Sequence, residues 1–140
     1  MPDSLQYSDD IRGHSTLDSV TGLVNRQEFE RRVRRVLLTF SQENDADVNG
    51  EHALFRIDIE QFVIVNDEYG HLAGDELLRQ FTFLLQQVVR VRDTLAHLEV
   101  NEFGVLMEHC SLNHAYRVAN KILQEVQSFH FFYNDLCHIM

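Results

Sequence analysis

Apolar positions recur along this chain in two periods, and the switch between them outlines its elements. Phe29, Val33, Val36 or Leu37, and Phe40 fall three or four residues apart, which predicts a helix from about Gln27. Arg31, Arg32, Arg34 and Arg35 decorate its other faces, and a solvated face explains them better than an anion site. Residues 52–59 read as a strand, with Leu54, Arg56, Asp58 and Glu60 sharing one face at period two. Residues 62–66 begin a short helix that Gly70 stops. Gly74 begins another, with Asp75 and Glu76 in its first turn, where acids suit the helix dipole. Leu77, Phe81, Leu84, Leu85 and Val88 form its stripe and carry it to about Arg90. Residues 94–98 and 103–109 are two strands joined by Glu99-Val100-Asn101-Glu102, a length that suits a hairpin. Leu112, Ala115, Val118 or Ala119, Ile122 and Val126 define a last helix, with Ser111 as its N-cap. Residues 129–133 are β-prone. The predicted order is α-β-α-α-β-β-α-β, an α/β pattern with a hairpin in the middle.

The polar stretches set the boundaries. Residues 1–17 read as a leader or linker, residues 18–25 as a turn punctuated by Gly22, and residues 41–51 as a polar connection. A length of 140 residues with 44% apolar content suits one domain with a real core. The formal net charge of −10 argues against a nucleic-acid binder and against attraction to an anionic membrane. A phosphate ligand would need a metal or a local arginine. No apolar run approaches the ~18–20 residues of a membrane span, and no signal peptide is visible at the start. Two cysteines, Cys110 and Cys137, cannot build a disulfide framework. A reduced, cytoplasmic protein is the expectation.

Two constellations could carry chemistry. Asp58 and Glu60, two residues apart at a strand end, could hold a divalent cation, or could be a solvated strand end. Asn66-Asp67-x-Tyr69-Gly70-His71-x-x-Gly74-Asp75 is more distinctive. An amide and a carboxylate together match a guanine edge, whose donors meet the carboxylate and whose acceptors meet the amide. Capping of two helix ends by Asn66 and Asp75 is the plainer account of the same residues.

Three ordered blocks carry a family resemblance. Asp18-x-Val20-Thr21-Gly22-Leu23-x-Asn25-Arg26-x-x-Phe29 is similar to the opening of GGDEF domains, the diguanylate cyclase family of bacterial cyclic-di-GMP signalling. Ile57-Asp58-Ile59-Glu60-x-Phe62, running on through Asn66 to Asp75, resembles their central block. Arg90-x-x-Asp93 and Leu98-Glu99-Val100-Asn101-Glu102-Phe103 resemble the block that ends in the signature loop. The resemblance covers residues 18–140. It implies a nucleotide-cyclase, palm-like α+β fold, with a mainly antiparallel central sheet flanked by helices. It assigns Asp58 and the Ile59 carbonyl to a metal, Mg²⁺. It assigns Asn66, His71 and Asp75 to the guanine nucleotide, and Arg90 and Asp93 to an inhibitory site for cyclic-di-GMP. GTP and cyclic-di-GMP are the implied ligands, and a homodimer is the implied working unit.

The chain departs from that pattern at the loop. Glu99-Val100-Asn101-Glu102-Phe103 stands where the family reads Gly-Gly-Asp/Glu-Glu-Phe. Glu99 and Val100 add charge and bulk where phosphate should approach closely. Asn101 puts a neutral amide in place of an acid, and Val63 and His97 replace a usual lysine and arginine. The resemblance makes Asn101 and Glu102 the catalytic positions, and these departures imply that they are impaired. The expectation is a catalytically degenerate sensor module, with an active cyclase and a ligand-free interaction module as alternatives. The family also continues past residues 129–133 into a further strand and helix. A truncated domain is therefore expected, or a longer protein continuing into a phosphodiesterase (EAL-type) domain.

Overall fold

The computed structural model describes residues 15–42, 51–133 and 136–139. A two-residue strand β1 (Val24–Asn25) runs directly into helix α1 (Arg26–Gln42). The Asn25 side chain accepts the Glu28 amide at 2.9 Å and so caps that helix. Strand β2 (Ala53–Asp58) follows, then α2 (Gln61–Tyr69) and α3 (His71–Val88). Strands β3 (Thr94–Glu99) and β4 (Glu102–Met107) form the hairpin. Helix α4 (Leu112–Gln127) and a second hairpin, β5 (His130–Tyr133) with β6 (Leu136–Ile139), complete the described chain.

The main sheet has the order β1-β3-β4-β2. The β3–β4 and β4–β2 pairs are antiparallel, and β1 lies parallel to β3. This is the mainly antiparallel sheet expected. Its alternation sorts the side chains onto two faces. On one face Ala96 and Leu106 pack with Phe29 and Val36 of α1. Gly104 makes that packing possible: a Cβ there would stand 2.9 Å from both the Phe29 ring and the Leu98 side chain. On the other face Phe103, Val105 and Met107 join Leu77, Phe81 and Leu85 of α3, and Ala115, Val118 and Ile122 of α4. Helices therefore flank the sheet on both sides, with the larger core under α3 and α4.

Several boundaries differ from expectation. Helix α3 begins at His71, so Gly74 lies inside it and Asp75 and Glu76 fall beyond its first turn. Gly70 alone separates the two helices. Its φ of +93° ends α2, and its amide caps the Asn66 carbonyl at 3.0 Å. The β3–β4 turn holds two residues, Val100 and Asn101, rather than four, because Glu99 and Glu102 pair with each other. Strand β1 escaped the periodicity because two residues carry no alternation. Ser111 caps α4 as expected, accepting the His114 amide at 3.2 Å. Of the predicted leader, residues 1–14 lie outside the described residues, as do 43–50 of the polar connection.

Candidate functional site

The α2–α3 junction is set by close approach. A Cβ on Gly74 would sit 2.7 Å from Asn66 Oδ1 and 3.1 Å from the Phe62 ring. Only a glycine lets the two helices meet there, where half-buried Asn66 packs against Gly74 and half-buried Asp75 is the next residue along α3. Asp75 is not an N-cap, since α3 starts four residues earlier. Asn66 caps nothing with its side chain; its backbone carbonyl takes the Gly70 amide. Both side chains keep their polar groups free of hydrogen-bond partners among the described residues. An amide and a carboxylate offered from these two adjoining helices can meet the acceptor and donor edges of a guanine. His71, the first residue of α3, is exposed.

The end of β2 tells a different story. Leu54, Arg56 and Asp58 share the exposed face of the strand, as the alternation predicts. Glu60 does not continue it, because its backbone has already turned helical (φ −68°, ψ −30°). The predicted Asp58–Glu60 shared face is therefore absent. Asp58 lies across from Glu102 in the strand register. Glu102 is only 3% exposed and is held by two arginines, Arg56 from β2 and Arg26 from α1, the latter at 3.3 Å. Arg26 also reaches Glu99 at 2.8 Å, so one guanidinium spans both sides of the turn. Asn101 completes the closure. Its carbonyl accepts the Ile59 amide at 2.8 Å, and its side-chain amide donates to the Ile59 carbonyl at 3.4 Å.

A hard divalent cation such as Mg²⁺ wants an octahedron of oxygens and charge from carboxylates. This donor set does not fit one. Asp58 is its single unpaired carboxylate, Glu102 is committed to arginines, and the Ile59 carbonyl already accepts the Asn101 amide and the Phe62 amide. No group of three or more His, Cys, Asp or Glu suited to a metal occurs among the described residues.

Beyond α3, Arg90 and Asp93 form a closed pair. The Asp93 side chain is fully buried and accepts three bonds from Arg90: the backbone amide at 2.9 Å, Nε at 3.1 Å and Nη2 at 2.9 Å. The Asp93 hydrogen bond holds the Arg90 guanidinium above its ordinary arginine range. Arg90 keeps about a quarter of its side chain exposed, so an oriented cation faces solvent at this turn.

A family model described as "Diguanylate cyclase, GGDEF domain" matches residues 15–136. The chain belongs to the GGDEF domain family. The probable diguanylate cyclase DgcE of Escherichia coli (strain K12) is 37% identical over 121 residues, 86% of this chain and 10% of DgcE. The uncharacterised protein YhcK of Bacillus subtilis is 36% identical over 109 residues, 78% of this chain and 29% of YhcK. The chain thus spans between a tenth and under a third of these curated relatives. Among solved structures, the GGDEF domain of PA1120 (TpbB or YfiN) from Pseudomonas aeruginosa superposes with a TM-score of 0.73 at 32% identity, covering 85% of this chain and 66% of that one. The FimX GGDEF domain from the same organism reaches 0.79 at 21% identity, covering 89% of this chain and 74% of that one, a likeness of fold.

Within this GGDEF domain two features of the structure lie beyond what the sequence motifs indicate. Arg26 and Arg56 were given no role, since their common partner Glu102 lies 76 and 46 residues away and only the strand register reveals it. The second feature is the contact between Asp18 and His97, at 3.0 Å. In the sequence His97 stands out only as a residue in the place of an arginine. No helix of the described residues is long and apolar enough to cross a membrane.

Proposed function

We propose that this chain is a catalytically degenerate GGDEF domain that works as a ligand-sensing regulatory module in cyclic-di-GMP signalling. The observation that carries the reading is Asn101. A neutral amide stands where the family has an acid, and it donates to the Ile59 carbonyl that the family offers to metal. Glu102, the next acid, is drawn onto Arg56 and Arg26. Loss of one group that stabilises transition-state charge costs ~10²–10³ in rate. Here the third-position acid and both loop glycines are replaced together.

The groups suited to binding without chemistry are intact. Asn66 and Asp75 offer a guanine both kinds of partner, and Arg90 offers a phosphate an oriented guanidinium. Calorimetric titration with GTP and, separately, with cyclic-di-GMP, each with Mg²⁺, tests the reading. Cyclic-di-GMP binding that disappears in Arg90→Ala, or GTP binding that disappears in Asp75→Ala, is the expected result, with no product formed. Conversion of GTP to cyclic-di-GMP at an ordinary cyclase rate overturns the degenerate assignment. Absence of binding by both ligands leaves an interaction module instead.

A further inference from the structure

The signature turn is held by a histidine both of whose ring nitrogens face acceptors. His97 Nδ1 lies 3.0 Å from Asp18 Oδ2, and His97 Nε2 lies 3.2 Å from the Val100 carbonyl oxygen. The side chain is 9% exposed, and the ring sits 5.1 Å from that of Phe103. A neutral imidazole has one N–H and one bare nitrogen, so it can serve one of these acceptors and must turn a lone pair towards the other. Only the imidazolium satisfies both.

Asp18 is itself fixed. The same Oδ2 accepts the Thr21 amide and hydroxyl, each at 2.8 Å, and the Val20 amide at 3.2 Å. Burial pushes the Asp18 carboxyl up, but the bonds from Thr21 and His97 outweigh it and hold it below its ordinary value. A permanent carboxylate therefore anchors one end of the ring. The other end reaches Val100, the first residue of the two-residue turn, beside the register irregularity between His97 and Glu99.

We propose that His97 is the positioning residue of the signature turn, acting as an imidazolium that ties the anchored Asp18 carboxylate to the Val100 carbonyl. When the ring loses a proton, Asp18 keeps the remaining N–H and the Val100 carbonyl is released. The charged neighbours do not mask this. Asp18 is the charged group facing the ring from the N-terminal turn, β1 offers neutral Asn25 in register, and β4 offers the Phe103 ring. Glu99 and Glu102 of the same hairpin are taken up by Arg26. The inference holds whether or not the domain turns over GTP.

Nitrogen-15 NMR of the histidine ring tests it on the unaltered chain, recorded from about pH 6 to pH 8.5, across the usual histidine range. At the acid end both ring nitrogens carry protons. As pH rises, loss of one ring proton moves the Val100 and Asn101 amide resonances in step with the ring. In His97→Arg, which keeps donors at both ends without titrating in this range, those amides hold one position. A ring that is singly protonated throughout overturns the proposal. So does turn movement that persists unchanged in His97→Arg.

Discussion

Gly74 shows how one residue can carry both packing and recognition. Its missing side chain is the space that Asn66 Oδ1 and the Phe62 ring occupy. Gly74→Ala should cost about 1–3 kcal/mol, as overpacking of a tight contact does, and should push Asn66 off its position against α3. Urea unfolding reads the first effect, and loss of GTP affinity the second. Asp75→Ala should separate them, since the Asp75 side chain makes no hydrogen bond among the described residues: affinity falls with little change in stability. Asp93 is the opposite kind of residue. Its side chain is fully buried and takes three bonds from Arg90, so Asp93→Ala should destabilise by about 1.5–3 kcal/mol, measurable in the same urea titration. The α2–α3 junction that carries Asn66 and Asp75 was legible because its glycines are. The fit at Gly74 was not, because the spacing of a motif says nothing of how near two helices come.

Helix α1 shows what periodicity can and cannot supply. Phe29 and Val36 are buried on the predicted stripe, while Leu37 is exposed, which settles the choice between the two positions. The arginine run lies on a mostly solvated face, yet two of its members are more engaged than such a face requires. Arg31 and Arg32 both bind Glu28, at 2.6 and 2.8 Å, and Arg32 also reaches the Thr94 hydroxyl. These bonds are at i+3 and i+4 and could have been counted from the sequence. The reach to Thr94 depends on how α1 lies on the sheet and could not. Hydrogen bonds from Arg31 and Arg32 hold the Glu28 carboxyl down from 4.5 to about 2. A lowered carboxyl stabilises the fold above its unfolded value and loses that contribution as pH falls through its folded value. Thermal stability should therefore drop between about pH 5 and pH 2. Glu28→Gln should be less stable at neutral pH and show a flatter acid limb in the same melting series.

At the scale of the whole molecule, the sequence blocks predicted the layered fold because each lands on one side of the sheet. They left the loop's allegiance unread, because Arg26, Arg56, Asn101 and Ile59 meet only once β2 and β4 are in register. Under the proposed function the domain has two separate candidate surfaces for ligands and a closed loop between strands. The α2–α3 junction suits a guanine base, and the turn after α3 suits a phosphate. Ligand that binds only the folded state stabilises it by mass action, about 2.7 kcal/mol at a hundredfold excess over Kd. For a domain of this size that corresponds to a rise of roughly 8–13 °C in melting temperature. Cyclic-di-GMP should give this rise in the unaltered chain and in Asp75→Ala, and none in Arg90→Ala. GTP should show the reverse dependence, with the rise surviving Arg90→Ala and vanishing in Asp75→Ala. Crossed dependence of this kind distinguishes two sites from one. If either variant abolishes both rises while it still unfolds in one cooperative transition, the two ligands share one site and the separation is wrong.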